Sequence, residues 1–150
     1  MASYKEDELK LYVPDLIAVR ERLEHSGAVL ARARIPERNV RYDDAEGSLS
    51  AQGKVLRLRQ DVAVRLTYKE GDTAGEGGVL SRFEAEVEVD DFDAMQMILS
   101  KLGYHPYMIY EKFRTTYECD ECEILLDEMP YGNFVEIEGE SEAIRHLRHR

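Results

Sequence analysis

From Arg82 to Asp90 the chain alternates charged and apolar residues without a break. Arg82, Glu84, Glu86 and Glu88 share one parity; Phe83, Ala85, Val87 and Val89 share the other. A period of two is the signature of a strand with two unlike faces. Glu84, Glu86 and Glu88 on the charged face are like charges in a row. The fold must therefore bring cations to that face. The pattern recurs along the chain. Residues 4–13 place Glu6, Glu8 and Lys10 opposite Leu9, Leu11 and Val13. Residues 55–61 place Arg57 and Arg59 opposite Leu56 and Leu58, and residues 62–69 place Arg65, Thr67 and Lys69 opposite Val64, Leu66 and Tyr68. Residues 109–117 carry Lys112, Arg114 and Thr116 on one face. Residues 123–128 set Glu123 and Asp127 against Ile124 and Leu126, and residues 134–138 set Glu136 and Glu138 against Val135 and Ile137. A further strand is expected over 39–43.

An antiparallel sheet with one face on a core and one in water also alternates. A solvated face, however, usually mixes Thr, Ser, Gln and Lys. These faces are almost wholly Glu and Asp or Arg and Lys, which favours a barrel turned inside out. Apolar strand faces look outward under covering helices, and charged faces look inward and line a tunnel. Charge buried in this way must be paired or await a ligand. Carboxylates without His or Cys select a hard cation, Mg²⁺ or Mn²⁺. Arg and Lys forks beside such an ion suit a polyphosphate. On this reading Glu6 and Glu8 hold the metal and Lys10 grips the anion that the metal also touches.

Two helices complete the pattern. Asp15 caps the first, with an apolar stripe of Leu16, Ile17, Val19 and Leu23 and a closing Gly27. Asp91 caps the second, with Phe92, Met95, Leu99 and Leu102 and a closing Gly103. The helices align at a constant offset of 76 residues, pairing Asp15 with Asp91 and Leu23 with Leu99. Each is preceded by one strand and followed by three. The expected fold is α+β: an eight-stranded antiparallel barrel from two βαβββ repeats, helices outside, in a single domain spanning 1–150. The repeat halves fall at about 4–70 and 81–139. Residues 70–80, rich in Gly, read as a mobile loop, and 48–53 as a loose stretch. A basic helix starting at Ser141 is short, which suggests a native chain continuing past Arg150.

The chain has 150 residues, 43% hydrophobic, so it can bury a core, and a net charge of −11. That balance argues against a nucleic-acid or anionic-membrane binder. No apolar run approaches 18 residues and no signal peptide is evident, so a cytoplasmic protein is expected. Cys119 and Cys122 form a lone C-x-x-C. It lacks the strand-then-helix context of a redox motif, and a zinc site with His146 and His149 would need too long a spacing. It reads as a hairpin rim with two free thiols.

Together these residues resemble the CYTH superfamily, the triphosphate tunnel metalloenzymes, and especially the small bacterial class IV adenylyl cyclase-like members. The likeness spans 4–139. It rests on E-x-E-x-K at Glu6, Glu8 and Lys10; R-x-R at Arg57 and Arg59; the lysine Lys69; E-x-E at Glu84 and Glu86; K-x-R at Lys112 and Arg114; the strand-end Asp127; and a late E-x-E at Glu136 and Glu138. The resemblance implies that Lys10, Arg57, Arg59, Lys69, Lys112 and Arg114 bind triphosphate. It places Glu6, Glu8, Asp127, Glu136 and Glu138 on one or two Mg²⁺ or Mn²⁺ ions, and Glu6, Glu8, Lys10, Glu136 and Glu138 at the chemistry. It implies that Glu84 and Glu86 support the basic residues or help position metal and water, and that Arg65 and Arg82, of the right parity, either join that support or form salt bridges near a rim. Arg41 departs from the pattern, since relatives tend to carry an acid before Tyr42.

Two reactions use such a tunnel. A triphosphatase sends water to the terminal phosphorus; a cyclase sends the ribose 3′-OH of ATP to the α-phosphorus, releasing pyrophosphate. No segment makes an adenine pocket, so hydrolysis of inorganic, nucleoside or thiamine triphosphate is the first expectation and cyclisation the alternative. A non-catalytic polyphosphate-binding module is the third, disfavoured because binding alone does not need five carboxylates. The partner expected is a small triphosphate, with homodimerisation left open.

Overall fold

Alternation fixes the register of the strands. In the computed structural model, which describes residues 5–74 and 78–148, eight strands form: β1 (Lys5–Val13), β2 (Val29–Asp43), β3 (Val55–Gln60), β4 (Val64–Ala74), β5 (Leu80–Val89), β6 (His105–Cys119), β7 (Cys122–Met129) and β8 (Gly132–Glu138). They close into one barrel in the order β1-β5-β4-β3-β2-β6-β7-β8. Four helices accompany them: α1 (Leu16–His25), α2 (Ser48–Ala51), α3 (Phe92–Lys101) and α4 (Ser141–Arg148).

The chain gathers into two compact units. Unit 1 comprises Met1–Lys5, Glu37–Asp72 and Arg82–Glu111; unit 2 comprises Glu6–Pro36, Thr73–Ser81 and Lys112–Arg150. They do not follow the sequence repeat, because each draws strands from both repeat halves.

In unit 2, Leu9 lies opposite Ile137, Ile137 opposite Ile124, and Ile124 opposite Tyr117. All four are buried in one core with Leu126, Val135 and Ile144, against which Leu16, Val19 and Leu23 of α1 pack. The next row on the other face is Glu8 opposite Glu138 and Glu138 opposite Glu123. A slip of one residue would exchange these rows and bury three carboxylates under α1, so the register is strongly specified. In unit 1, Val40, Tyr42, Leu58 and Leu99 form a second core with Leu56, Leu66, Phe92 and Met95. The Tyr42 phenol is fully buried and donates to Gln96 Oε1 at 2.7 Å. Burial pushes its pKa up to about 12, against the lowering charge of Arg38, so it remains a donor.

The two repeat helices end alike. Asp15 Oδ1 accepts from Ile17 N and Ala18 N, and Asp91 Oδ1 accepts from Ala94 N. At the other end Gly27 N donates to Glu24 O and Ala28 N to Leu23 O; Gly103 N donates to Ser100 O and Tyr104 N to Leu99 O. These are paired Schellman closures, with Gly27 at φ +84° and Gly103 at φ +98°. Ile17 and Leu102, counted in the expected stripes, lie outside the packed faces and are exposed.

Four local features differ from expectation. β2 starts at Val29 rather than Asn39, and β6 at His105 rather than Ile109. Both strands run through a proline, Pro36 midway along β2 and Pro106 at the second position of β6. The stretch 48–53 contains α2. There Asp44 Oδ1 accepts from Ser48 N, while Asp43 accepts from Leu49 N, Ser50 N and Ser50 Oγ. The expected 70–80 loop has strand on both flanks, β4 to Ala74 and β5 from Leu80; residues 75–77 lie outside the described residues.

Cys119 and Cys122 are opposed at the end of the β6–β7 hairpin, buried and not joined by a disulfide. The two residues between them, Asp120 (φ 50°) and Glu121 (φ 65°), are both left-handed, as a type I′ turn requires. Burial, reinforced by Asp120, Cys119 and Glu121, pushes the Cys122 thiol up, so it is not a ready thiolate. His149 and Arg150 lie outside the described residues. No helix among the described residues is long and apolar enough to cross a membrane.

Candidate metal and phosphate site

The charged strand faces lie opposite the helix-packed cores. In unit 2 they carry Glu6, Glu8 and Lys10 on β1, Lys112 and Arg114 on β6, Asp127 on β7, and Glu136 and Glu138 on β8. Glu6 and Glu8 share a strand face, and Glu8 stands opposite Glu138. One oxygen from each of Glu6, Glu8 and Glu138 lies within 4.8 Å of the other two. Oxygens bound to one Mg²⁺ at about 2.1 Å sit roughly 3 Å apart when adjacent and about 4.2 Å when opposed. The trio therefore fits a single hard cation after a small contraction. Its donor set, oxygen only with Glu8 buried, is the chemistry such an ion requires.

Asp127 and Glu136 take a different place. Arg114 reaches Asp127 through both prongs of its guanidinium, Nε to Oδ1 at 2.7 Å and Nη2 to Oδ2 at 2.9 Å. Lys112 Nζ donates to Asp127 Oδ2 at 3.0 Å, and Arg114 Nη2 also donates to Glu136 Oε2 at 3.2 Å. Asp127 is only 1% exposed. Burial alone would raise its pKa, but the bonds and charges of Arg114 and Lys112 outweigh that and hold the carboxyl below the usual range. Glu136 follows the same logic: burial raises, while Arg114, Lys112 and a hydrogen bond with Glu8 lower, and the net shift is downward. Both stay ionised at neutral pH. Their oxygens hold Lys112 and Arg114 in place, and Glu136 also hydrogen-bonds to Glu8 of the trio. Lys10 stands opposite Glu136 and lies 5.1 Å over the Phe134 ring.

Unit 1 is built from cations. On β3 and β4, Arg57 is opposite Thr67, Arg59 opposite Arg65, and Val55 opposite Lys69. Arg59 approaches Glu37 at 3.7 Å and Glu86 at 3.4 Å. Arg65 is 3.2 Å from Asp61 and 3.8 Å from Glu86, and Lys69 is 4.0 Å from Glu84. Thr67, fully buried, donates to Glu86 Oε2 at 2.8 Å. Glu84 and Glu86 thus stand beside the basic residues they were expected to support. Arg82 is half-buried on β5.

Three tunnel-face residues of β2 had no role in the sequence reading: Glu37, Asn39 and Arg41. Arg41 is opposite Arg57 and Asn39 opposite Arg59. Glu37 accepts from Asn39 Nδ2 at 3.1 Å, and both are buried. The signal was present as Glu37-x-Asn39-x-Arg41 alternating with Val40 and Tyr42. Arg38 interrupts the apolar parity and hides it.

A closed barrel with alternating carboxylate and guanidinium faces opposite its helix-packed cores defines the class of triphosphate tunnel proteins. The chain belongs to the CYTH domain family, whose sequence model matches residues 5–149. Among solved structures it is similar to a candidate adenylate cyclase of Vibrio parahaemolyticus, with 22% identity over 99% of this chain and 85% of that one and a TM-score of 0.81. A Pyrococcus horikoshii protein is 27% identical over 95% of this chain and 83% of its own, with a TM-score of 0.76. A Hippeastrum protein, a candidate adenylyl cyclase with a dominant triphosphatase activity, is 22% identical over 96% and 84%, with a TM-score of 0.74. A search of curated protein sequences gave no significant match.

Proposed function

We propose that this chain is a divalent-metal-dependent triphosphatase. The observation that carries the reading is the Glu6–Glu8–Glu138 trio beside Lys10, Lys112 and Arg114, all within unit 2. One oxygen from each of the three carboxylates lies within 4.8 Å of the other two, and cations stand on the same strand faces. A bound Mg²⁺ or Mn²⁺ would supply charge neutralisation on phosphoryl oxygens. Lys10, Lys112 and Arg114 would hold the phosphate chain and stabilise charge on the leaving bridging oxygen. Glu136, ionised and outside the trio, would orient the attacking water. Water oxygen bonds to the terminal phosphorus, the bridging P–O bond breaks, and the products are orthophosphate and the shortened chain. In unit 1 the same reading assigns Arg57, Arg59 and Lys69 to anion binding.

The test is incubation with tripolyphosphate or with ATP, plus Mg²⁺ or Mn²⁺, with product analysis. Orthophosphate release that stops on adding EDTA is the expected result. Cyclic AMP and pyrophosphate from ATP would replace hydrolysis by cyclisation. Tight binding with no product from either would reduce the chain to a polyphosphate-binding module.

A further inference from the structure

Arg41 and Arg57 stand directly opposite each other across β2 and β3. Opposed residues of an antiparallel pair lie on one face with Cβ atoms about 5 Å apart. Two like charges at that distance repel. Arg57 is only 9% exposed, and the Nε atoms of both arginines are buried with no hydrogen-bond partner. Neither side chain has an ion-pair partner among the described residues. The carboxylates nearby are already engaged: Glu37 with Asn39 and Arg59, Glu86 with Arg59, Arg65 and Thr67. Next along β2, Asn39 is fully buried and its Oδ1 also lacks a partner. Arg41 is held from one side by the Tyr110 ring, 5.9 Å from its guanidinium carbon. Burying a charge without a partner is costly, and the half-buried like charge of Arg41 beside Arg57 adds to that cost. An anion bridging them removes the cost.

We propose that Arg41 and Arg57 form a two-guanidinium clamp for one phosphoryl group of the substrate, which makes Arg41 an additional anion-binding residue. The assignment rests on the polyphosphate reading of the site. The planar fork of Arg suits tetrahedral phosphoryl oxygens, and two forks can share one group. No carboxylate belongs to the clamp, so its hold on phosphate needs no metal. A Tyr or an acid at position 41 could not serve this way.

The experiment is calorimetric titration of the whole chain with tripolyphosphate, in EDTA and in Mg²⁺. Wild type should bind in both. Arg41→Gln should weaken binding about 10- to 100-fold in EDTA, as expected for loss of a charge-assisted contact. Arg41→Lys, which keeps the charge and the packing of its stem on Tyr110, should recover only part of the affinity, because the fork is lost. Thermal melting of each variant separates a binding loss from unfolding, and Arg41→Lys is read if Arg41→Gln melts early. Wild-type affinity in Arg41→Gln, or in Arg41→Lys, would overturn the clamp while leaving the polyphosphate reading intact. A wild type that binds tripolyphosphate in neither condition would overturn that reading and the clamp together.

Discussion

The two units handle buried charge in opposite ways. In unit 2, Arg114 and Lys112 close onto Asp127 at 2.7–3.0 Å, and one oxygen from each of three other carboxylates gathers within 4.8 Å. In unit 1 the pairs are loose, 3.4 Å between Arg59 and Glu86 and 4.0 Å between Lys69 and Glu84, and Arg41 and Arg57 have no carboxylate partner among the described residues. Unit 2 therefore concentrates negative charge that a metal can neutralise. Unit 1 concentrates positive charge that an anion can neutralise. The same strand alternation builds both. The sign of the residue at each inward position decides what each face can hold.

Removing a carboxylate of the trio tests the comparison hardest. Glu8→Gln should lower metal-dependent turnover by roughly a thousandfold or more, since a catalytic ion supplies several kcal/mol of charge stabilisation. Tripolyphosphate binding in EDTA should fall far less. An equal loss of both would mean that the two faces are not chemically distinct. Asp127→Asn comes next. It removes the buried carboxylate that Lys112 and Arg114 share, and should cost about 3–5 kcal/mol in denaturant unfolding. The Asp127 carboxyl sits below its ordinary pKa, so its stabilisation is complete above the unfolded value of about 4 and is lost as pH falls through the lower folded value. Asp127→Asn should accordingly flatten the acid limb of stability against pH; an unchanged limb would show that the pair is not the source.

Glu86→Gln in unit 1 is the counterpart. Glu86 is 29% exposed and its ion pairs are long, so the cost should be about 1 kcal/mol. A loss as large as that of Asp127→Asn would remove the contrast between tight and loose pairing. Smallest are the helix caps. Asp15→Ala and Asp91→Ala should each cost about 1 kcal/mol. Asp15 accepts two backbone bonds and Asp91 one, so thermal melts should place Asp15→Ala slightly lower.

Much of this was legible because strand faces alternate with a period of two. Leu9, Ile124 and Ile137 had to share a face with one another, and Glu8 and Glu138 had to share the other. The repeat helices were legible from their caps, Asp15 with Gly27 and Asp91 with Gly103. What was missed had competing local signals. Proline has no N–H to give a strand ladder, yet β2 and β6 run through Pro36 and Pro106. Ser48–Ala51 is too short for a helical stripe and is held by Asp43 and Asp44 instead. Arg41 drew notice only as a departure, because nothing in its neighbours' sequence says that Arg57 lies opposite.

Parity determined which residues share each strand face, and so the apolar faces and the charged ones. Periodicity is a local property, set by the geometry of each strand. Which carboxylates meet was decided only by the tertiary structure, because register is a pairing between strands far apart in the chain. It brings Glu138 to Glu6 and Glu8, turns Asp127 toward Arg114 and Lys112, and sets Arg41 against Arg57. Five acids and a set of bases were readable as a list. Their division into a carboxylate trio, a cation-holding pair of acids and two opposed arginines follows from those pairings.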